Sequence, residues 1–466
     1  MLFNSYPFLF GFLPLLLVAV FLLGRRQSPA ASRGVLLGAS LLFYAWWRWE
    51  YVFLLLFSIA FNFACLQSLW RREPGSRVGL RTVTAGVAVN LALLGYFKYA
   101  NFFVETLDTA FGLSWNLAPV VLPLAISFFT FQQVAYLVDA YRGRAGRSGL
   151  VSYSLAVTFF PHLIAGPIVR YEELVPQFEK AGTFVRNNAN LAAGLFILAI
   201  GLFKKVVIAD TFAPWTDRLF DHAADLSVTD AWGAALSFTL QIYFDFSGYS
   251  DMAIGLARMM NVRLPENFDS PYQADSIIDF WRRWHMTLSA FLRDYLYIPL
   301  GGNRRGAMRR DVNLFVTMLL GGLWHGANWT LAAWGSLHAV YLSINYLWRR
   351  TGIELPRAVS WPLTFTAVVF ALVLFRARTF ERAGMVFAGM AGRNGFAWGA
   401  THYSIGWWEL ECLALALAVT LWCPNRQTIM SWEWRSDTAY ALAFSVIAGL
   451  GILALGDPAP FFYFQF

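Results

Sequence analysis

The chain has 466 residues, of which 58% are hydrophobic and 14% charged, with a formal net charge of +8. A water-soluble domain carries roughly 25% charged residues, so a chain this apolar cannot cover itself in water, and lipid leaves only helices or closed barrels. Its apolar runs are long and continuous rather than short and alternating, which excludes a barrel, and its basic residues sit in short loops, where membrane topology explains them better than nucleic acid does.

The first apolar segment, 6–23, has no Lys or Arg before it, Arg25 and Arg26 after it, and no small-residue cleavage site. It reads as a retained helix and not as a signal peptide. Further candidates follow at 34–46, 51–70, 83–103, 115–138, 150–168, 191–208, 231–257, 275–299, 312–333, 334–348, 359–375, 407–423 and 438–455. A simple span needs about 20 mostly apolar residues. Segment 34–46 is short, while 231–257 and 275–299 carry many polar groups. The pattern therefore predicts an all-α polytopic membrane protein with about 11 transmembrane helices plus re-entrant or interfacial helices. Trp46, Trp47, Trp49 and Tyr51 read as an aromatic belt at one membrane–water boundary.

The basic loops 24–33, 71–82, 139–149 and 301–311 are expected in the cytoplasm; the acidic loops 104–114 and 209–230, and the N-terminus, are expected outside. Lys204 and Lys205 sit beside the second acidic loop and fit neither side. Cys65, Cys412 and Cys423 show no metal or disulfide spacing. No soluble domain or convincing internal repeat interrupts the chain, which reads as one membrane domain, 1–466, with a catalytic core at about 120–345.

Polar residues inside spans are costly and default to functional candidates. Here they gather between 241 and 338. In 241–253, Asp245 and Asp251 are expected to tie to Arg282, Arg283 or Arg293 as a structural network, and no histidines stand at metal-ligand spacing. The loop 264–272 is turn-rich and is read as lying outside the catalytic set.

If 279–289 is one helix, Arg282, His285 and Ser289 share a face. Such a face either binds a phosphate or thioester donor through the arginine fork or is an interfacial helix with snorkelling arginines. Gly301–Gly306 is basic and glycine-rich, lacks a Walker ending, and is best read as positive-inside anchoring.

If 314–342 is one helix, His325 and Asn328 share a face between close-approach glycines. A neutral imidazole there can act as a base. The alternative is a core histidine tied to a neighbouring helix. His338, 13 positions from His325 and so about 220° around such a helix, points elsewhere and reads as structural.

These motifs, in this order, resemble the membrane-bound O-acyltransferase (MBOAT) family, and most closely its bacterial branch that acetylates exopolysaccharides such as alginate. The residues carrying the resemblance are Tyr243-Phe244-Asp245-Phe246-Ser247-Gly248-Tyr249-Ser250-Asp251, Pro265-Glu266-Asn267-Phe268, Phe280-Trp281-Arg282-Arg283-Trp284-His285, Arg293-Asp294-Tyr295, and Gly322-Leu323-Trp324-His325-Gly326-Ala327-Asn328. The opening Phe3-Asn4-Ser5 and the closing residues 461–466 match as well.

The resemblance implies a helical shell with a funnel to an essential histidine, His325, and a second histidine, His285. It further implies transfer of an acyl group, most simply acetyl from acetyl-CoA with no bound cofactor or metal. His325 would be general base, and His285 would hydrogen-bond the acyl carbonyl or orient the donor. Asn328, Arg282, Ser289, Trp324 and Asp245 are secondary binding candidates. The implied partners are membrane lipid and a periplasmic SGNH-type acetyltransferase or polysaccharide-modification complex, at a bacterial inner membrane. The alternatives are D-alanyl or lipid acylation, or a transporter or channel that does no chemistry.

Overall fold

The computed structural model describes residues 1–26, 28–113, 115, 119–396, 403–431, 438–456 and 461–462. Residues 463–466 of the closing motif lie outside the described residues. Every regular element described is helical, the form in which each backbone polar group can be satisfied without water. Contacts divide the chain into two compact units. Unit 1 comprises Met1–Ala199, Ser250–Pro265 and Leu455–Pro460; unit 2 comprises Ile200–Tyr249, Glu266–Ala454 and Phe461–Phe466.

Five segments among the described residues are long and apolar enough to cross a membrane: Pro7–Arg25, Glu50–Trp70, Arg77–Phe111, Asn188–Asp221 and Arg357–Arg376. Their outer surfaces carry exposed apolar side chains such as Leu15, Phe53, Leu91 and Leu363, as a lipid solvent requires. Trp46, Trp47 and Trp49 are exposed too, in keeping with an interfacial belt.

Unit 1 packs α1 (Leu13–Arg25), α2 (Pro29–Ala45), α3 (Glu50–Trp70), α4 (Arg77–Leu94), α5 (Ile126–Tyr141) and α6 (Leu150–Thr158). Its buried polar groups tie helices together. Asn62 of α3 and Asn90 of α4 exchange amide hydrogen bonds of 3.2 and 2.7 Å. Gln133 of α5 donates to Ser58 of α3 at 2.7 Å and accepts from Tyr153 of α6 at 2.8 Å.

Unit 2 holds all the expected site residues. Its elements include α7 (Asp210–Asp221), most of α8 (Val228–Met259), α9 (Ile277–Arg283), α10 (Met286–Leu292), α11 (Ala307–His325), α12 (Trp329–Arg349) and α13 (Arg357–Arg376). With 32 residues, α8 is about 48 Å long at ~1.5 Å per residue.

Helices α11 and α12 form a tight hairpin. A Cβ on Gly322 would lie 2.2 Å from the carbonyl oxygen of Leu331, and one on Gly335 2.2 Å from that of Met318. Only glycine at both positions lets the two backbones approach this closely.

Candidate active site

The helix expected over 314–342 is broken. Helix α11 ends at His325, Gly326 is extended (φ −171°, ψ 149°), and Asn328 begins α12 as its N-cap. Asn328 Oδ1 accepts from the backbone N–H of Thr330 at 2.9 Å, and Asn328 Nδ2 donates to the carbonyl of Arg378 at 3.0 Å. His325 and Asn328 therefore share no helical face, and Asn328 is occupied in capping α12 and holding the 377–378 turn.

The hairpin turns His338, read as structural, back toward the site. Placed on the returning helix, it packs 5.0 Å from Trp334, whose indole stands edge-on to His325 at 5.2 Å and 88°. Its Nδ1 accepts from Trp281 Nε1 at 3.3 Å.

The helix expected over 279–289 is broken as well. Helix α9 starts with Ser276 capping the N–H of Asp279 at 3.2 Å and ends at Arg283; α10 starts at Met286. Between them His285 adopts the left-handed conformation, φ 43° and ψ 55°. That backbone costs about 1–3 kcal/mol outside glycine and needs surrounding structure to hold it.

The loop read as non-catalytic supplies the hold. The carbonyl of Asn267 accepts from Met286 N–H at 2.9 Å. Asn267 Oδ1 accepts from Thr287 N–H at 3.4 Å and Thr287 Oγ1 at 2.9 Å, and faces His285 Nδ1 at 3.0 Å. Because of the break, Arg282, His285 and Ser289 do not line one face. Arg282 is exposed, and the hydroxyl of half-buried Ser289 donates to the carbonyl of Trp284 at 3.4 Å.

The two breaks bring the histidines together. The His285 and His325 rings lie 6.4 Å apart, with Trp324 5.0 Å from His325 and 6.3 Å from His285. Phe246 meets His285 edge-on at 4.6 Å, and Phe375 packs 5.4 Å from His325. Both imidazoles are deeply buried, at 0% exposure for His285 and 4% for His325.

The donors converging on Asn267 Oδ1 identify that atom as the carbonyl, so His285 Nδ1 carries a proton. In a neutral ring, Nε2 is then the lone-pair acceptor. It has no hydrogen-bond partner among the described residues.

Asp245 is not tied to the arginines expected for it. Its Oδ1 lies 2.7 Å from Lys205 Nζ, which also meets Asp210 Oδ1 at 2.7 Å, and its Oδ2 accepts from the N–H of Phe462 at 2.8 Å. Arg283 pairs instead with Asp279 at 2.9 Å, and Arg293 with Asp294 at 2.7 Å. One of the two lysines that fitted neither side of the membrane, Lys205, is thus the buried counter-ion of Asp245. Within unit 2 this carboxylate neutralises Lys205 and anchors Phe462. Asp251 lies in the part of α8 assigned to unit 1.

Unit 1 has a polar cavity of about 700 Å³ whose lining includes Lys180, Arg186, Asn190, Asn261 and Arg263, and none of the expected site residues. Sequence reasoning missed Asn267, Lys205 and Trp334. Asn267 sits inside the Pro-Glu-Asn-Phe motif and Lys205 stood out as a lysine that fitted neither side of the membrane, whereas Trp334 gave no signal.

Comparison with known proteins places this geometry in context. The model of the membrane-bound O-acyltransferase family matches residues 144–376, a span that contains His285, His325 and all the secondary candidates. The chain is 43% identical over 425 residues to the peptidoglycan O-acetyltransferase of Helicobacter pylori, covering 85% of this chain and 80% of that protein. It is 43% identical over 420 residues to the "Probable alginate O-acetylase AlgI" of Pseudomonas aeruginosa, covering 88% and 76%. The teichoic acid D-alanyltransferase of Bacillus subtilis is more distant, 27% identical over 282 residues, covering 55% and 69%.

Proposed function

Because the chain belongs to the membrane-bound O-acyltransferase family, and is thus a multi-pass membrane O-acyltransferase, we propose that it takes an acetyl group from acetyl-CoA at the cytoplasmic face of a bacterial inner membrane. The group passes to a periplasmic SGNH-type partner, which O-acetylates an exopolysaccharide such as alginate. The N-terminus lies on the periplasmic side in this reading. Acetyl is favoured over D-alanyl because the acetylating relatives are 43% identical and the D-alanylating one 27%. The equal likeness to a peptidoglycan O-acetyltransferase supports peptidoglycan as the second acceptor to test.

The observation that carries the reading is the pair of buried imidazoles 6.4 Å apart, a separation over which one reacting group can contact both rings. His325 takes the proton of the acceptor hydroxyl as its oxygen attacks the thioester carbonyl. The C–S bond then breaks, and the imidazolium returns the proton to the departing thiolate. General-base help of this kind is worth about 10²–10⁴-fold. His285, presenting a lone pair at Nε2, accepts a hydrogen bond from a donating group of the substrate. A buried site of this kind strengthens every such interaction relative to bulk water.

Sidedness is the decisive test. Membrane-impermeant radiolabelled acetyl-CoA should label the acceptor when supplied to inside-out vesicles carrying the protein and fail to do so in right-side-out vesicles. Labelling in right-side-out vesicles alone would overturn the proposed direction. Mass spectrometry of the labelled polymer then separates acetylated exopolysaccharide, peptidoglycan and D-alanylated product.

A further inference from the structure

An attacked thioester needs a hydrogen-bond donor at its carbonyl oxygen, where negative charge develops. Resting on the acyl-transfer reading above, neither histidine supplies one at the moment of attack. His325 is occupied with the hydroxyl proton, and neutral His285 offers an acceptor at Nε2.

We propose that Trp334 is a further catalytic residue, whose indole N–H donates to the acyl carbonyl oxygen as it becomes the oxyanion.

Three observations converge on it. Trp334 is 3% exposed, and its Nε1, a donor and never an acceptor, has no hydrogen-bond partner among the described residues. Buried polar groups are almost always satisfied, and exceptions gather where a role demands them. In the same cluster, the indole of Trp281 is already used, donating to His338.

The second observation is location. Trp334 stands edge-on to His325, with ring centroids 5.2 Å apart. The third is rigidity. Its indole is packed by Phe375 at 5.1 Å, His338 at 5.0 Å and Trp281 at 5.9 Å. It also follows Leu331 and precedes Gly335, both at the close hairpin crossing. A donor fixed in advance needs no reorganisation when charge appears, which is the condition for an effective oxyanion site. The proton stays on nitrogen throughout: the C–O bond forms, the C–S bond breaks, and the N–H only bears on the oxygen between those events.

The test replaces the N–H and keeps the shape. Trp334→Phe removes the donor, and incorporation of benzothienylalanine at position 334 exchanges N–H for sulfur in a ring of the same outline. Inside-out vesicles carrying the full-length protein and its acceptor are assayed with acetyl-CoA beside His325→Ala, and melting is followed on the purified protein. Loss of one oxyanion donor predicts a fall in kcat of about 10²–10³-fold in both variants, with the KM for acetyl-CoA and the melting temperature unchanged in the isostere. Wild-type kcat in the benzothienylalanine protein overturns the proposal even if Trp334→Phe is impaired, because packing alone then explains Trp334. If His325→Ala retains full transfer, the acyl-transfer reading itself fails; if only the isostere stays active, that reading stands and Trp334 is structural.

Discussion

Gly322 and Gly335 meet where α11 and α12 cross, with the Cα of Gly335 lying 3.2 Å from where a Cβ on Gly322 would stand. His325 follows one turn after the first glycine, and Trp334 immediately precedes the second. The crossing therefore sets the distance between the imidazole and the indole. Gly322→Ala must push a methyl group into the carbonyl of Leu331, and overpacking of this kind costs about 1–3 kcal/mol. A lower melting temperature in detergent and reduced transfer are expected together. An alanine variant that melts like the wild type would show that the hairpin can open at no cost.

Asn267 has 0% exposure and receives the His285 ring. Asn267→Ala strands the His285 Nδ1–H in a buried site, at about 1–3 kcal/mol for a group left unsatisfied. If that strain is felt in the transition state, kcat falls by about tenfold or more, since ~1.4 kcal/mol is a factor of ten. Full activity in Asn267→Ala would mean that His285 orientation does not matter.

His285, which the proposed mechanism gives a chemical role, has an unusual backbone. Alanine at this position keeps the left-handed strain, whereas glycine relieves it. His285→Gly should therefore be more stable than His285→Ala by roughly 1 kcal/mol, while both lose activity alike. Thermal melting of the two variants compares them directly. Equal melting would show that the backbone at 285 rearranges once the imidazole is gone.

The Lys205–Asp245 pair is buried on both sides, at 5% and 3% side-chain exposure. Removing Lys205 leaves the buried Asp245 carboxylate without its counter-ion, a change that costs about 3–5 kcal/mol. Lys205→Met should collapse expression of folded protein, and Lys205→Met with Asp245→Leu should recover much of it. Equal loss in the single and double variants would show that the pair serves a function beyond holding the fold.

The all-helical membrane architecture follows from the apolar runs, and His325 stood out as an imidazole in an apolar segment between glycines. What could not be read was where helices stop. The break at His285 contains no glycine or proline and is imposed by Asn267, 18 residues upstream. The break at His325 comes from Gly326 and the Asn328 cap, which a three-residue helical spacing disguised as a shared face. Lys205 and Asp245 are 40 positions apart, and no local pattern pairs them. In each case a tertiary partner decides the local geometry, so the residues were visible and their arrangement was not.

The central claim is that the imidazole of His325 removes the acceptor's proton. Acetyl transfer from acetyl-CoA to the acceptor in inside-out vesicles carrying His325→Ala protein, with folding verified by the melting curve of the purified protein, tests this most directly. The account predicts transfer reduced by about 10²–10⁴-fold in a protein that melts like the wild type. Transfer at the wild-type rate from folded His325→Ala protein would contradict it.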